Sequence, residues 1–495
     1  MIFTTPGGRV NSDVKSSMSS TESNRLTMLF DLPYQIDLGA YQVPGSAVED
    51  FRQQAIILTS PAGGGAHFVW RRLTGDFILT ARATWNGSHA PAQVGWLARA
   101  TLEAHSAQVS ASLSGTGSAL LDVRRSAGGH SEATPLAVNG ADVIQLERRG
   151  TTYRLSAARF GEPFATVEVA DVDLGAELYV GLFASPAQDN AASEVVFRDV
   201  RVVVPAAASF NRERDPFGSR LEVLDVRSGY RRVLYSANHV FEAPNWTRDG
   251  QALIFNQAGQ LYRFDLATKS IEQIDTGDVL RNNNDHVISF DGTTLAISHH
   301  LPPDYHSRIY TVPLTGGQPR LVTPLGPSYL HGWSPDGQHL VYTALRDGDY
   351  DIYRIPAIGG AEVRLTTTPG LDDGPEYTPD GQYIYFNSVR SGRMQIWRMK
   401  ADGSAQEPMT DDEYNNWFPH IAPDGQSFVF LTYLVGEVEP SDHPAAKRVY
   451  LRQMPLNGGT PRVLAYLYGG QGSINVPSWS PDSQQIAFVS NTVPF

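Results

Sequence analysis

Short segments in which apolar and polar residues alternate recur through the second half of the chain, each directly after a turn of the Pro-Asp-Gly type. The clearest of them are residues 251–255, 339–343, 383–387, 427–431 and 485–489. A period of two residues, bounded by Gly, Pro and Asp, predicts β-strands. In the turn, proline presets φ, aspartate bonds nearby backbone and glycine accepts a positive φ. We therefore expect the second half to consist of strands joined by this turn.

The turn aspartates recur at a period that indicates a β-propeller. They lie 42, 45, 44, 44 and 58 residues apart, which is the length of a propeller blade. The six positions are Asp249, Asp291, Asp336, Asp380, Asp424 and Asp482. Residues 219–236 supply two strands with no turn copy before them, and the last turn copy is followed by no outer strands. We expect these two segments to pair in one blade and to close a ring of six blades.

The first part of the chain also alternates, but without an internal repeat. Eleven short strands between residues 26 and 204 predict two antiparallel sheets packed as a β-sandwich. The predicted organisation is all-β: a disordered tail at 1–25, a sandwich at 26–204, a linker at 205–216 and a six-bladed propeller at 217–495. The tail assignment rests on its many Ser, Thr and Asn residues.

Composition excludes several classes of function. The net charge of −13 is spread along the chain, whereas a nucleic-acid surface needs clustered Lys and Arg. The absence of cysteine excludes disulfides, thiolate metal sites and cysteine nucleophiles. No run of about 18 apolar residues predicts a membrane span. Residues 1–24 lack the apolar centre of a signal peptide, so we expect a cytoplasmic protein, or a secreted or periplasmic one if a leader precedes this sequence.

Two families resemble this chain. The repeated W-S-P-D-G turn, followed by I-Y and R-L-T-T segments, is similar to the six-bladed TolB-type propellers with PD40 repeats, over about residues 217–495. The strand order from DFILTARATW to VVFRDVRV resembles the concanavalin/laminin-G-like jelly rolls, over about residues 30–204. That second resemblance implies a saccharide-binding or interaction module. Trp70, Trp85 and Trp96 would then either stack on a sugar ring or belong to the core.

The residues just before each turn are candidates for function, because this segment of a blade reaches the mouth of the central channel. Seven residues before the turn Asp stand Glu242, Asn284, Tyr329, Asp373, Trp417 and Asn475. Five before it, two successive copies carry His286 and His331, and the fifth copy carries His420 one place later. We expect imidazoles from separate blades to converge on one axis, which suits a divalent metal or acid/base chemistry.

The candidate catalytic residues are His286, His331, His420, Asp285, Asp373 and Glu376, and the candidate metal ligands are His286, His299, His331 and His420. Candidate substrate-binding residues are Glu242, Asn284, Tyr329, Asn416, Trp417 and Asn475, with Arg390 as a partner for a uronate carboxylate. For each one, an ordinary structural role is the competing interpretation. The insertion at 436–447 and the Gly-rich loop at 469–473 are expected to lie at the channel opening.

The runs HVISFDGTTLAISHHLPPDYHSRIYTV and HIAPDGQSFVFLTYLVGE are similar to oligogalacturonate lyases. This resemblance implies a histidine-bound divalent cation (Mn, Ca or Zn), no organic cofactor and β-elimination on uronate oligosaccharides. We expect a carbohydrate-active protein, of the polysaccharide lyase or glycoside hydrolase type, that binds an oligo- or polysaccharide at the propeller. The alternative is a non-enzymatic, TolB-like scaffold with a protein partner on the propeller face. A serine hydrolase is disfavoured, because no G-x-S-x-G motif occurs.

Overall fold

The computed structural model describes residues 31–85, 90–187, 189, 191–212 and 214–495. These residues form strands and loops only, which confirms the all-β prediction. The predicted tail at 1–25 lies outside the described residues. Within the described part, no helix is long and apolar enough to cross a membrane.

Fourteen strands form a sandwich of two seven-stranded antiparallel sheets. In chain order they are β1 (Tyr34–Leu38), β2 (Ser46–Asp50), β3 (Ala55–Thr59), β4 (Ala66–Thr74), β5 (Phe77–Trp85), β6 (Val94–Arg99), β7 (Gln108–Leu113), β8 (Ala119–Arg124), β9 (Ser131–Leu136), β10 (Val143–Arg149), β11 (Thr152–Ala158), β12 (Ala165–Val169), β13 (Glu177–Ala184) and β14 (Glu194–Val203). One sheet has the order β1-β4-β13-β6-β7-β8-β9 and the other β12-β11-β10-β5-β14-β3-β2.

The sandwich core lies between the two sheets, where the inward residues of each alternating strand meet. Trp96 is fully buried in this core, and Trp85 packs against it. Trp70 instead lies on the outer face, with its ring 4.6 Å from that of Tyr34 and 5.0 Å from that of Tyr179. Trp96 is therefore a core residue and is not available to stack on a sugar.

Twenty-three further strands form the propeller. They are β15 (Gly218–Asp225), β16 (Arg231–Ala237), β17 (Glu242–Trp246), β18 (Ala252–Gln257), β19 (Gln260–Asp265), β20 (Ile271–Ile274), β21 (Asn282–Ile288), β22 (Thr294–Leu301), β23 (His306–Pro313), β24 (Arg320–Leu321), β25 (Ser328–Trp333), β26 (His339–Arg346), β27 (Asp349–Pro356), β28 (Val363–Arg364), β29 (Asp372–Tyr377), β30 (Tyr383–Ser388), β31 (Gln395–Lys400), β32 (Glu407–Pro408), β33 (Asn415–Ile421), β34 (Ser427–Tyr433), β35 (Lys447–Pro455), β36 (Arg462–Gly469) and β37 (Gln485–Thr492).

These strands make six blades, as the repeat predicts. Blades 1 to 5 are the four-stranded sheets β17–β20, β21–β24, β25–β28, β29–β32 and β33–β36. Blade 6 joins the two ends of the propeller, since β37 pairs with β15 over its whole length, from Gly218 opposite Thr492 to Asp225 opposite Gln485. Trp479 adds a bridge to Ile486 on the inner side of this blade. The expected closure of the ring is confirmed.

The repeated turn has the conformation that its residues predict. All six copies have a positive φ after the aspartate, from 60° at Ser483 to 75° at Gly292. In blade 3 the Asp336 carboxylate accepts a hydrogen bond from the Ser334 hydroxyl at 2.5 Å and from the Gln338 backbone at 3.0 Å. The Ser334 hydroxyl in turn accepts the His339 backbone N–H at 2.8 Å. The turn therefore fixes the start of the next strand.

The sandwich packs against blade 5 through aromatic rings and ion pairs. Phe164 lies 4.4 Å from the ring of Tyr466 and bonds through its backbone N–H to the Tyr450 hydroxyl at 3.1 Å. Arg448 of β35 bonds to Glu147 of β10 at 2.9 Å. The channel mouth and the sandwich are thus connected through blade 5.

Candidate functional site

A cavity of about 430 Å³ opens at the mouth of the propeller channel, where the inner strands of the blades begin. Its lining residues come from blades 2 to 5, from the insertion between β34 and β35 and from the loop between β36 and β37. They are Asn283, Asn284, Asp285, His300, Tyr329, His331, Thr343, Tyr350, Leu371, Asp373, Phe418, Ser441, His443, Gln471 and Asn475. A concave site with a few convergent polar groups is the usual form of a ligand-binding pocket.

β-Bulges in the inner strands decide which side chains reach this cavity. The pairing register shifts near the start of the inner strand in each of blades 1 to 5. A bulge leaves residues without a partner on the next strand and turns their side chains in a new direction. In blade 2 the unpaired residues include Asp285, and in blade 3 the extra residue is His331.

Asp285 is the most perturbed acid of the site. Its side chain is buried, and its carboxylate accepts a hydrogen bond from the Asn283 amide at 2.8 Å. Burial raises the pKa of Asp285 to about 7; the negative Asp373 adds to this effect and the His331 charge opposes it. Asp285 is thus poised to give up or accept a proton near neutral pH.

His331 and Asp373 form a buried ion pair beside Asp285. The Nε2 atom of His331 lies 3.1 Å from Oδ1 of Asp373. Burial disfavours the charged forms of both residues, but their mutual attraction outweighs this effect. As a result, the pKa of His331 is raised by Asp373, and the pKa of Asp373 is lowered by His331. The site therefore holds one carboxylate that stays ionised and one carboxyl that titrates near pH 7.

The rim of the cavity is formed by two loops. His443, in the insertion at 436–447, donates a hydrogen bond from Nδ1 to the amide oxygen Oε1 of Gln471 at 2.6 Å. Its ring lies 4.4 Å from Trp417 and 5.3 Å from Phe418. The contact between His443 and Gln471 joins the two loops over one side of the opening.

The expected convergence of three histidines requires correction. His286 is fully buried at a paired position opposite Ile297, and its Nε2 lies 3.2 Å from the Ile254 carbonyl. Burial lowers the pKa of His286 to about 4. His420 is held between Glu376 at 2.7 Å and the Ile474 carbonyl at 2.6 Å. Only His331 of the three lines the cavity.

The predicted metal site does not form in this arrangement. His299, the fourth predicted ligand, accepts the Arg281 backbone N–H at 3.1 Å through Nδ1 and does not line the cavity. Among the residues described, no three His, Asp or Glu side chains come together as a group that could hold a metal ion. The ligand set expected for a divalent cation therefore does not fit this geometry.

The predicted substrate-binding residues divide into two groups. Asn284, Tyr329 and Asn475 line the cavity. The others make structural contacts. Arg390 bonds to Asp372 at 2.7 Å, the amide of Asn416 lies within a fully buried hydrogen-bond network, Trp417 is fully buried, and Glu242 pairs with Arg212. Burial removes Trp417 from contact with a sugar, and the ion pair with Asp372 engages Arg390.

Several lining residues were missed by the sequence analysis. Asn283 and Tyr350 occupy positions that vary between the repeats, and Ser441 and His443 belong to the insertion. The unusual length of the insertion was the one signal that pointed to its residues. Nothing in the repeat marked Tyr350, because it lies at the start of β27, the third strand of blade 3, and not on the inner strand.

Comparison with known proteins places this architecture in a family. The family profile described as TolB beta propeller domain matches residues 304–445. An uncharacterized protein of Agrobacterium fabrum is 46% identical over 272 residues, which are 55% of this chain and 92% of that protein. A solved structure from Agrobacterium tumefaciens, assigned as TolB, is 46% identical with a TM-score of 0.54 and covers 56% of this chain and 99% of its own.

A solved oligogalacturonate lyase of Vibrio parahaemolyticus is more distant. It is 13% identical, covers 56% of this chain and 97% of its own, and has a TM-score of 0.37. Likeness at that level bears on neither activity nor substrate. By the extent and identity of the Agrobacterium matches, the chain belongs to the TolB β-propeller family.

Proposed function

We propose that this protein binds an oligosaccharide at the channel mouth and acts on it by acid/base catalysis. The composition of the cavity supports the binding step. Amide groups of Asn284, Gln471 and Asn475 can bond to sugar hydroxyls, and the rings of Tyr329 and Tyr350 offer apolar surface to the face of a sugar ring. A volume of about 430 Å³ accommodates a short oligosaccharide.

The observation that carries the proposed chemistry is the separation of the pKa values of Asp285 and Asp373 in one cavity. Glycoside hydrolysis uses one carboxylic acid to protonate the leaving oxygen and one carboxylate to activate water or stabilise the developing positive charge. Asp285 is suited to the first role, since it keeps its proton near neutral pH. Asp373 is suited to the second, because His331 keeps it ionised and oriented.

In the proposed reaction, Asp285 donates its proton to the glycosidic oxygen as the bond to the anomeric carbon breaks. Water, activated by the Asp373 carboxylate, adds to that carbon and passes a proton to Asp373, so the products are two shorter saccharides. Proton exchange with solvent then returns Asp285 to its protonated form and Asp373 to its ionised form. Hydrolysis fits this arrangement better than β-elimination, because elimination from a uronate also needs a group that neutralises the sugar carboxylate. Arg390, the residue expected to do so, is paired with Asp372.

The test is release of reducing ends from a panel of oligosaccharides by the full chain, compared with Asp285→Asn and Asp373→Asn. We expect each variant to lose at least about 100-fold in rate, since general acid/base groups contribute that much or more. Asp347→Asn is the matched control, because Asp347 is 90% exposed and lies outside the cavity. Equal rates for wild type and Asp285→Asn would contradict the proposal. Products that absorb in the ultraviolet would instead indicate β-elimination.

The second candidate is a protein-binding scaffold without catalysis, which membership of the TolB family favours. It predicts no saccharide binding and no cleavage by wild-type protein. A protein partner would then be expected on the propeller face, and its binding would be insensitive to Asp285→Asn.

A further inference from the structure

A second cavity, of about 370 Å³, lies where the sandwich meets blade 6. Strand β14 of the sandwich contributes Arg201 to its lining, and β15 and β16 of the propeller contribute Arg220 and Ser236. Arg220 and Ser236 are direct partners in the blade ladder, so their side chains lie on the same face of the sheet. The described lining of this junction cavity shares no residue with the channel cavity.

Carboxylates are scarce beside the arginines of the junction cavity. Glu222 is fully buried and is shared by two of them, since it accepts a hydrogen bond from Arg201 at 2.6 Å and from Arg231 at 2.5 Å. Burial raises the pKa of Asp199, and the nearby arginines oppose this effect. The pKa of Glu222 is lowered, so Asp199 ionises less readily than Glu222.

Arg220 is the least compensated of these cations. Its side chain is 12% exposed, and its Nη2 donates to the Val202 carbonyl at 3.1 Å and to Asp31 at 3.4 Å. Its Nη1 is buried and has no acceptor among the described residues. Burial lowers the pKa of Arg220; Asp31 opposes this effect and Arg201 adds to it. Burial also disfavours the charge of Arg201, but there Glu222 outweighs it and the pKa is raised.

The carboxylate that Arg220 does meet is a weak partner. The Asp31 side chain is 40% exposed, and it also lies 3.9 Å from Arg71. Exposed ion pairs contribute little, and an arginine keeps its proton at neutral pH, so Arg220 stays charged in this interface. Four arginines thus share two carboxylates within ion-pair distance, which leaves an excess of positive charge beside the cavity.

We propose that the junction cavity binds a small anionic molecule, whose carboxylate or phosphate group lies between Arg201 and Arg220. Guanidinium groups favour the oxygens of these two anions, and a buried charge with incomplete partners gains most from a counter-charge. Ser236 and Asn238, which also line the cavity, can bond to further polar groups of the ligand. Because Arg201 belongs to the sandwich and Arg220 to blade 6, the bound anion stabilises the contact between the two domains.

Calorimetric titration of the full chain at pH 7 with inorganic phosphate and with citrate, at constant ionic strength, tests this inference. We expect the wild type to bind at least one of them with a dissociation constant of about 1 mM or lower. Tighter binding of phosphate would assign a phosphate group to the ligand, and tighter binding of citrate would assign a carboxylate.

Ser236→Asp and Ser236→Asn are the matched variants. Ser236 is exposed and directly opposite Arg220, so Ser236→Asp places a carboxylate beside the guanidinium, where it competes with the anion. Ser236→Asn adds a side chain of similar size without a charge. We expect Ser236→Asp to weaken anion binding at least about tenfold and Ser236→Asn less than about threefold. Arg220→Met should also weaken binding at least about tenfold.

Binding of neither anion by the wild type would overturn the proposal, and so would equal affinities of the wild type and Ser236→Asp. Chloride that reproduces the heat of binding at the same ionic strength would show charge screening in place of a site, and would overturn it too. Thermal unfolding establishes that each variant is folded, and the two Ser236 variants decide the question even if Arg220→Met does not fold.

Discussion

At the scale of single residues, the contrast between His286 and His331 explains the site. Both stand five residues before the turn aspartate, yet His286 is opposite Ile297 in the ladder and His331 is the extra residue of a bulge. His286 is therefore buried against a backbone carbonyl, and His331 faces the cavity and pairs with Asp373. One difference in pairing register separates a structural imidazole from a functional candidate.

The buried Asp285 should lower stability at neutral pH. Its carboxyl holds a proton to about pH 7 in the folded state but only to about pH 4 when unfolded, so folding loses stability as pH rises through this window. Three pH units correspond to up to about 4 kcal/mol. We expect Asp285→Asn to be a few kcal/mol more stable than wild type at pH 8 and similar at pH 4. Urea unfolding of both proteins at both pH values measures this. If the difference in unfolding free energy between wild type and Asp285→Asn were the same at pH 4 and pH 8, folding would not raise the pKa of Asp285.

His420 should matter for stability and not for ligand binding. His420→Ala leaves the buried Glu376 carboxylate and the Ile474 carbonyl without their imidazole partner. The expected loss is about 1–3 kcal/mol in the free energy of unfolding, with the affinity for any cavity ligand unchanged. His306→Ala, at a half-exposed histidine, is the control. If His420→Ala lost affinity for a cavity ligand but kept its free energy of unfolding, His420 would be a ligand-binding residue.

At the scale of elements, the repeated turn is held by side-chain hydrogen bonds to its aspartate, and in blade 5 one of these bonds is missing. In five copies a Ser or Thr hydroxyl bonds to the turn aspartate, with oxygen separations of 2.5–2.6 Å. Blade 5 has Ala422 at this position, so Asp424 has no such donor there. The blade keeps its backbone turn through the bond from Gly425 to the Ala422 carbonyl at 2.8 Å.

Restoring the hydroxyl should stabilise blade 5. Ala422→Ser adds a donor to Asp424 and an acceptor for the backbone N–H of Ser427, and we expect a gain of about 1 kcal/mol. Ser334→Ala, the reverse change in blade 3, should cost a similar amount. Chemical denaturation of both variants measures the effect. Equal stability of wild type and both variants would mean that the hydroxyl bonds only replace bonds to water.

The sequence predicted the central strands better than the edge strands and the β-bulges. The turn residues and their period predict six blades, and the alternation of apolar and polar residues predicts eleven of the sandwich strands. The edge strands β1, β2 and β9 were missed, because Tyr34–Leu38, Ser46–Asp50 and Ser131–Leu136 are largely exposed and lack a strong apolar alternation. The bulges were not predictable, since unpaired residues depend on the neighbouring strand. The sequence could therefore name Asp285, Asp373 and the three histidines as candidates, but it could not tell which of them would line the cavity.

At the scale of the whole molecule, an ion-pair network links the sandwich to the loop above the cavity. Arg448 bonds to Glu147 of the sandwich at 2.9 Å and, through Nε, to Glu437 of the insertion at 2.8 Å. Ser441 and His443 follow Glu437 in the same insertion and line the cavity. The sandwich is thus in a position to fix one wall of the candidate site.

Removing Arg448 should loosen this connection. Arg448→Met removes the strongest cationic partner of Glu147 and Glu437, which then keep only the contacts with Arg149 and, for Glu147, a 3.9 Å contact with Arg154. We expect a loss of about 3–5 kcal/mol and faster proteolytic cleavage within 436–447. Arg398→Met, which breaks the more exposed pair with Glu407, is the control and should cost less than about 1 kcal/mol. Identical cleavage rates in wild type and Arg448→Met would show that the loop is held by other contacts.

The most direct test of the saccharide site is a crystal structure of the full chain soaked with a trisaccharide from the hydrolysis panel. We expect the saccharide in the channel cavity, with its glycosidic oxygen within hydrogen-bond distance of the Asp285 carboxyl and hydroxyls on Asn475 or Gln471. Saccharide bound only on the sandwich, with the cavity filled by solvent, would contradict the assignment of the channel mouth as the saccharide site.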